Sequence, residues 1–103
     1  MRPEGVSVSQ LNIWFPFYVN DYMGDTMSLS TLDHGVYFLL ICAYYKNGGP
    51  LPDNDKTLAN IVKLSLSDWS ASRSTVAPFF KIIRGKWIHS RADREIERAK
   101  SMQ

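Results

Sequence analysis

The spacing of apolar residues changes along the chain, and each spacing predicts a different element. The densest run, Gly35 to Tyr45, lies inside a helix that the pattern places from Ser30-Thr31-Leu32-Asp33 to about Lys46. Ser30 can accept a hydrogen bond from a free first-turn amide, and Asp33 puts negative charge at the positive end of the helix. Leu32, Val36, Leu39, Leu40 and Ala43 follow the three-four spacing of a buried stripe. Tyr37, Phe38, Ile41, Tyr44 and Tyr45 make the other faces apolar too, which predicts a central helix packed on several sides. Asn47-Gly48-Gly49-Pro50 stops it. Asp53 is then the expected cap of a second helix from about Asn54 to Lys63, with Leu58, Ile61 and Val62 inward. Ser65 or Ser67 caps a third, from about Asp68 to Phe79 or Phe80, with Trp69 and Val76 on one face and Pro78 in its last turn.

The period shortens after Phe80. Two β-type runs flank Arg84-Gly85 and predict a hairpin with Ile82 opposite Trp87. From Ser90 the helical period returns, with Ala92, Ile96 and Ala99 as a thin apolar stripe and Arg91, Arg94 and Arg98 on a separate face. Before the central helix, residues 1–10 read as a leader. Leu11 to Tyr18 (LNIWFPFY) reads as an edge strand or extended segment on the core, because Pro16 bars a central strand. Tyr18 to Met23 allows one helical turn. The sum is an α+β, mostly helical, winged-helix-like fold: a three-helix core, a β-hairpin wing and a C-terminal helix. Residues 11–103 form its single domain.

Composition agrees with one globular domain of 103 residues, 45% hydrophobic and 21% charged. No apolar stretch reaches the roughly 18 residues of a membrane span, and no signal peptide is visible. The single cysteine, Cys42, forms no internal disulfide and suits a reducing cytoplasm.

Charge changes the picture through its distribution. The net charge is only +2, but residues 1–60 carry three basic and six acidic side chains, whereas residues 61–103 carry nine basic and four acidic. A cationic C-terminal half is what a phosphate-binding surface needs. In a winged helix the third helix enters the major groove, where Ser70, Arg73 and Ser74 would face base edges. Lys63 would reach a backbone phosphate, and Lys81, Arg84 and Lys86 on the wing would make phosphate or minor-groove contacts. Arg91, Arg94 and Arg98 extend that surface, or else pair along their own helix as Arg91–Glu95, Arg94–Glu97 and Glu95–Arg98. The expected partner is DNA, held by non-specific phosphate contacts. The rival reading is docking on a protein partner, through surplus aromatics among Trp14, Phe15, Phe17, Tyr18 and Tyr22. Neither reading involves a membrane, and either a monomer or a homodimer suits both.

Enzymatic signals are weak. His34 and His89 lack partners at metal-ligand spacing, and neither a glycine-rich phosphate loop nor a nucleophile elbow occurs. Asp21 and Asp25, four apart, suit surface capping better than acid–base work. Asp53-Asn54-Asp55 starts like a calcium loop but lacks the glycine and glutamate that would complete one. A non-enzymatic domain without a cofactor is expected.

A set of spaced residues adds a family resemblance. Trp14, Pro16-Phe17-Tyr18, Asp21-Tyr22, Asp25-Thr26, Leu29-Ser30, Gly35-Val36-Tyr37, Gly49-Pro50-Leu51-Pro52, Leu58-Ala59, Trp69, Phe79-Phe80, Gly85-Lys86-Trp87-Ile88-His89 and Arg91 occur in that order. Over Trp14 to Ala99 this resembles the YdaU-like domain of phage and prophage proteins, a family related to replication initiation proteins. The resemblance implies a phage or prophage origin, a winged-helix-like fold, a place near DNA replication and no catalytic residues. Family proteins commonly continue into a longer C-terminal region, so the chain is expected to be either a piece of such a protein or a small stand-alone phage factor. For the rival reading, the resemblance implies a replication or host-defence protein as the partner.

Overall fold

A computed structural model describes residues 29–101 of the chain. The expectations for residues 1–10, Leu11 to Tyr18 and Tyr18 to Met23 lie outside the described residues. The elements run α1 (Thr31–Asn47), β1 (Leu51–Pro52), α2 (Asp55–Val62), α3 (Leu66–Val76), a 3-10 turn (Ala77–Phe79), β2 (Lys81–Ile83), β3 (Lys86–Ile88) and α4 (Ser90–Ser101). The fold is α+β and mostly helical, with one three-stranded antiparallel sheet of order β1-β3-β2.

Local chemistry explains the helix ends. The Asp33 amide donates to Ser30 Oγ at 3.1 Å, and the Asp68 amide donates to Ser65 Oγ at 3.1 Å. Ser65, rather than Ser67, therefore starts α3. Gly48 closes α1 in the left-handed conformation, at φ 79°. The second helix starts one residue later than the sequence suggests. Asn54, not Asp53, is its cap, accepting from the Thr57 amide at 2.9 Å. Asp53 is engaged elsewhere: its amide continues the sheet by donating to Gly85 O at 2.9 Å, and its carboxylate faces Trp87. Pro78 falls in the 3-10 turn that follows α3, where a missing amide costs little.

The central helix buries part of the stripe its spacing suggests, Val36 and Leu40 with Ala43 packed at its margin, and turns the rest outward. Val36, Tyr37, Leu40 and Tyr44 face the core, while Leu32 is 56%, Phe38 42% and Leu39 37% exposed. A helix apolar on every face offers its neighbours a choice of sides. Here the aromatic hydroxyls decide it. Tyr44 donates to Asp93 Oδ1 at 2.7 Å and accepts from the His89 amide at 2.9 Å, and Tyr37 Oη lies 3.0 Å from His89 Nε2. His89 Nδ1 in turn accepts from the Ala92 amide at 3.1 Å, so the imidazole caps α4 and its ring proton sits on Nε2. These bonds fasten α4 to α1 and satisfy the polar atoms that the buried rings carry inward.

A second polar cluster joins the strands to the helices. Trp69 and Trp87 are fully buried, with ring centroids 5.9 Å apart. Trp87 Nε1 donates to Asp53 Oδ1 at 2.9 Å, and Trp69 Nε1 donates to Asp55 Oδ1 at 2.9 Å. Arg73 bridges the two carboxylates, at 3.1 Å to Asp53 and 2.6 Å to Asp55, with Cζ 5.2 Å from the centre of the Trp87 ring. Leu40, Tyr44, Leu58 and Val76 complete the fully buried core around this pair.

Two predictions follow from these clusters. Asp53→Ala leaves the buried Trp87 indole N–H without its acceptor, an expected loss of about 1–3 kcal/mol, read as a lower urea midpoint. The second concerns pH. The indole of Trp69 and then the guanidinium of Arg73 hold the Asp55 carboxyl below its ordinary 3.8. A depressed folded-state value stabilises above 3.8, and that stability is lost as pH falls through the folded-state value. Burial, and then the bond to Asp93, raise the Tyr44 hydroxyl above its ordinary 10.0. The contribution of Tyr44 is therefore present below pH 10.0 and fades as pH rises beyond it. Urea midpoints should fall at both extremes. Asp55→Asn should flatten the acid limb alone, and Tyr44→Phe the alkaline limb alone.

Candidate nucleic-acid interface

The hairpin supplies the most exposed cations. A two-residue turn, Arg84-Gly85, joins β2 to β3, and its residues have φ 52° and 75°. Positive φ at both positions is the signature of the turn whose twist matches antiparallel strands. The register pairs Lys81 with Ile88, Ile82 with Trp87 and Ile83 with Lys86. Ile82 thus lies opposite Trp87 as the sequence suggests, although it remains 38% exposed. Alternation along the strands puts Lys81, Ile83 and Lys86 on the face away from Trp87. Lys81, Arg84 and Lys86 are all exposed, and none of them is ion-paired among the described residues. Ile83, beside the turn, is 48% exposed.

The other expected contact residues fare differently. Lys63 is exposed at the C-terminal cap of α2, in the left-handed conformation at φ 64°. Arg73 is held between Asp53 and Asp55 over Trp87, so its guanidinium serves the fold before any ligand. On α4, Arg98 pairs with Glu95 at 3.4 Å, one of the three pairings that the helical spacing allows. Arg94 is exposed, whereas Arg91 is half-buried and makes contacts of its own. The charged set therefore divides into an open group on the hairpin, a lone Lys63, a partly paired group on α4 and a fully engaged Arg73.

The carboxylates of Asp53 and Asp55 were not expected to matter, beyond the capping role assigned to Asp53. Only their distance in sequence from Arg73 and Trp87 hides them: no helical or strand period links a loop to a residue 18 positions away. Each carboxylate is paired with the one arginine and with an indole. Among the described residues, no group of three or more metal-ligating side chains is gathered in one place.

Comparison with known proteins agrees with the resemblance seen in the motifs. Over 83 residues the chain is 34% identical to a protein of Escherichia coli (strain K12) named uncharacterized protein YdaU. That alignment covers 81% of the chain but only 28% of the longer relative. No solved structure matches the chain. A family model matches residues 13–97, from just before Trp14 through most of α4, and the chain accordingly belongs to the family described as "Protein of unknown function (DUF1376)".

Proposed function

We propose that this domain is a non-enzymatic DNA-binding module of phage or prophage replication initiation or regulation, working in the bacterial cytoplasm. The observation that carries the reading is the hairpin: three exposed cations, none ion-paired among the described residues, on a short, well-anchored two-stranded arm. Such an arm suits phosphate contact, because its base is fixed to the core through Trp87 while its tip stands in solvent. The element order supports it, since three helices followed by a hairpin is the arrangement of winged-helix DNA-binding domains. Lys63, Arg94 and Arg98 would add weaker contacts to the same polyanion. The phage setting rests on the motif resemblance. Among the described residues, no helix is long and apolar enough to cross a membrane.

A second reading has its own observation. Leu32, Phe38 and Leu39 expose apolar surface on α1, which favours docking of a protein partner, such as a replication factor or a host nucleoprotein complex. It predicts a complex that Leu39→Glu disrupts and that hairpin substitutions leave intact.

The DNA reading is tested on the hairpin. The double substitution Arg84→Ala with Lys86→Ala should weaken duplex binding. It should also reduce the slope of log affinity against log salt, by about 0.9 for each phosphate contact removed. A gel-shift titration over a range of salt measures both. Unchanged affinity in a folded double variant would remove the hairpin from the interface.

A further inference from the structure

The helix that would read bases in a winged-helix domain is poorly equipped to do so here. Arg73 is its only cation, and both terminal nitrogens of that side chain are taken, by Asp53 and Asp55. The remaining exposed polar side chains of α3 are the hydroxyls of Ser67, Ser70, Ser74 and Thr75 and the carboxylate of Asp68. Strong discrimination in the major groove uses forked donors on guanine or paired amides on adenine. The exposed surface of α3 offers neither, and Asp68 repels phosphate.

The hairpin tip shows the opposite bias. Arg84 adopts φ 52°, a left-handed conformation that non-glycine residues seldom take and that asparagine or aspartate takes more readily. Asn-Gly is the favoured sequence for this turn. The chain instead places a long, permanently charged fork at the apex. Beside it stands Ile83, 48% exposed where a strand facing water would usually be polar, and Lys86 pairs with Ile83 across the strands. A cationic fork next to an exposed aliphatic side chain is the equipment of a minor-groove contact. The negative potential of a narrow groove attracts arginine, and apolar side chains lie against sugars and base edges.

Building on the DNA-binding reading above, we infer that the domain recognises duplex DNA by the width of its minor groove, through Arg84 at the hairpin apex, and that α3 leaves the bases of the major groove unread. Lys81 and Lys86 take phosphates beside the groove, on the face they share with Ile83. The favoured ligand is then a duplex with a narrow minor groove, as in runs of A·T pairs, whatever the order of bases elsewhere.

Equilibrium binding to two duplexes of equal length, one containing an A-tract and one of alternating G·C, tests this in the full chain. The expected result is several-fold tighter binding to the A-tract. Arg84→Asn should erase that preference, yet raise the urea midpoint because Asn-Gly suits the turn better. The rise keeps loss of function separate from loss of fold. Ser70→Ala with Ser74→Ala should leave the preference intact. Equal affinity for the two duplexes, a preference that survives Arg84→Asn, or one that vanishes with the serine pair would each overturn the inference while leaving DNA binding in place. Failure to bind either duplex would instead overturn the DNA-binding reading itself, and the inference with it.

Discussion

Two buried indoles set the constraint on which the rest depends. Trp69 and Trp87 fill the space between helices and sheet, but each brings an N–H that must find an acceptor once water is excluded. The acceptors are carboxylates at the junction of β1 and α2, and carboxylates placed side by side repel one another. Arg73 resolves that repulsion, since its fork reaches Asp53 and Asp55 together while its flat face lies over Trp87. The cluster draws its residues from the junction, α3 and β3. A pair of hydrogen bonds to charged groups, at about 1.5–3 kcal/mol each, matters more here than the partly exposed ion pairs, whose net value is about 0–1 kcal/mol each.

The same constraint decides what the hairpin can do. Trp87 pins the middle of β3, and Asp53 holds the arm twice, through its carboxylate to the indole and through its amide to Gly85 of the turn. A two-stranded ribbon alone is marginal in water. With its inner residue clamped and β1 paired along its edge, the ribbon presents a turn of defined geometry. The cations at its tip therefore stand on a fixed base, which lowers the entropy lost when they meet a ligand.

Local signals were legible in the sequence wherever one residue acts on its neighbours. Ser30, Ser65 and Gly48 mark helix ends, Pro78 marks the close of α3, and Arg84-Gly85 marks the turn that puts Ile82 opposite Trp87. What escaped was long-range or degenerate. The face of α1 was only partly legible, Val36 and Leu40 being buried but Leu32 and Leu39 exposed, because apolar residues surround that helix and its spacing carries little direction; the hydroxyls of Tyr37 and Tyr44 settle the matter through partners about 50 residues away. The strand Leu51–Pro52 is too short to show a period, and it exists because β3 offers it an edge. Of the candidate site, the hairpin cations Lys81, Arg84 and Lys86 stand exposed. Arg73 does not, and nothing near it in sequence announces the two acids that hold it.

That difference bears on how charge should be read in a chain of this size. Counting cations in the C-terminal half treats Arg73, Arg84 and Arg98 as equals, yet one is shared between two acids and leaves their cluster net negative, one stands exposed at a turn and one leans on Glu95. A paired guanidinium adds little to the outward field, because its partner cancels it at the distance of a ligand. The potential felt by a polyanion therefore comes from a few residues on the hairpin, with Lys63 and part of α4 in support, and its focus follows the fold more than the composition. The exposed apolar residues of α1 belong to a different element and respond to a different kind of partner. The domain thus keeps its exposed cations at one end of its sheet and its exposed apolar residues on a separate helix.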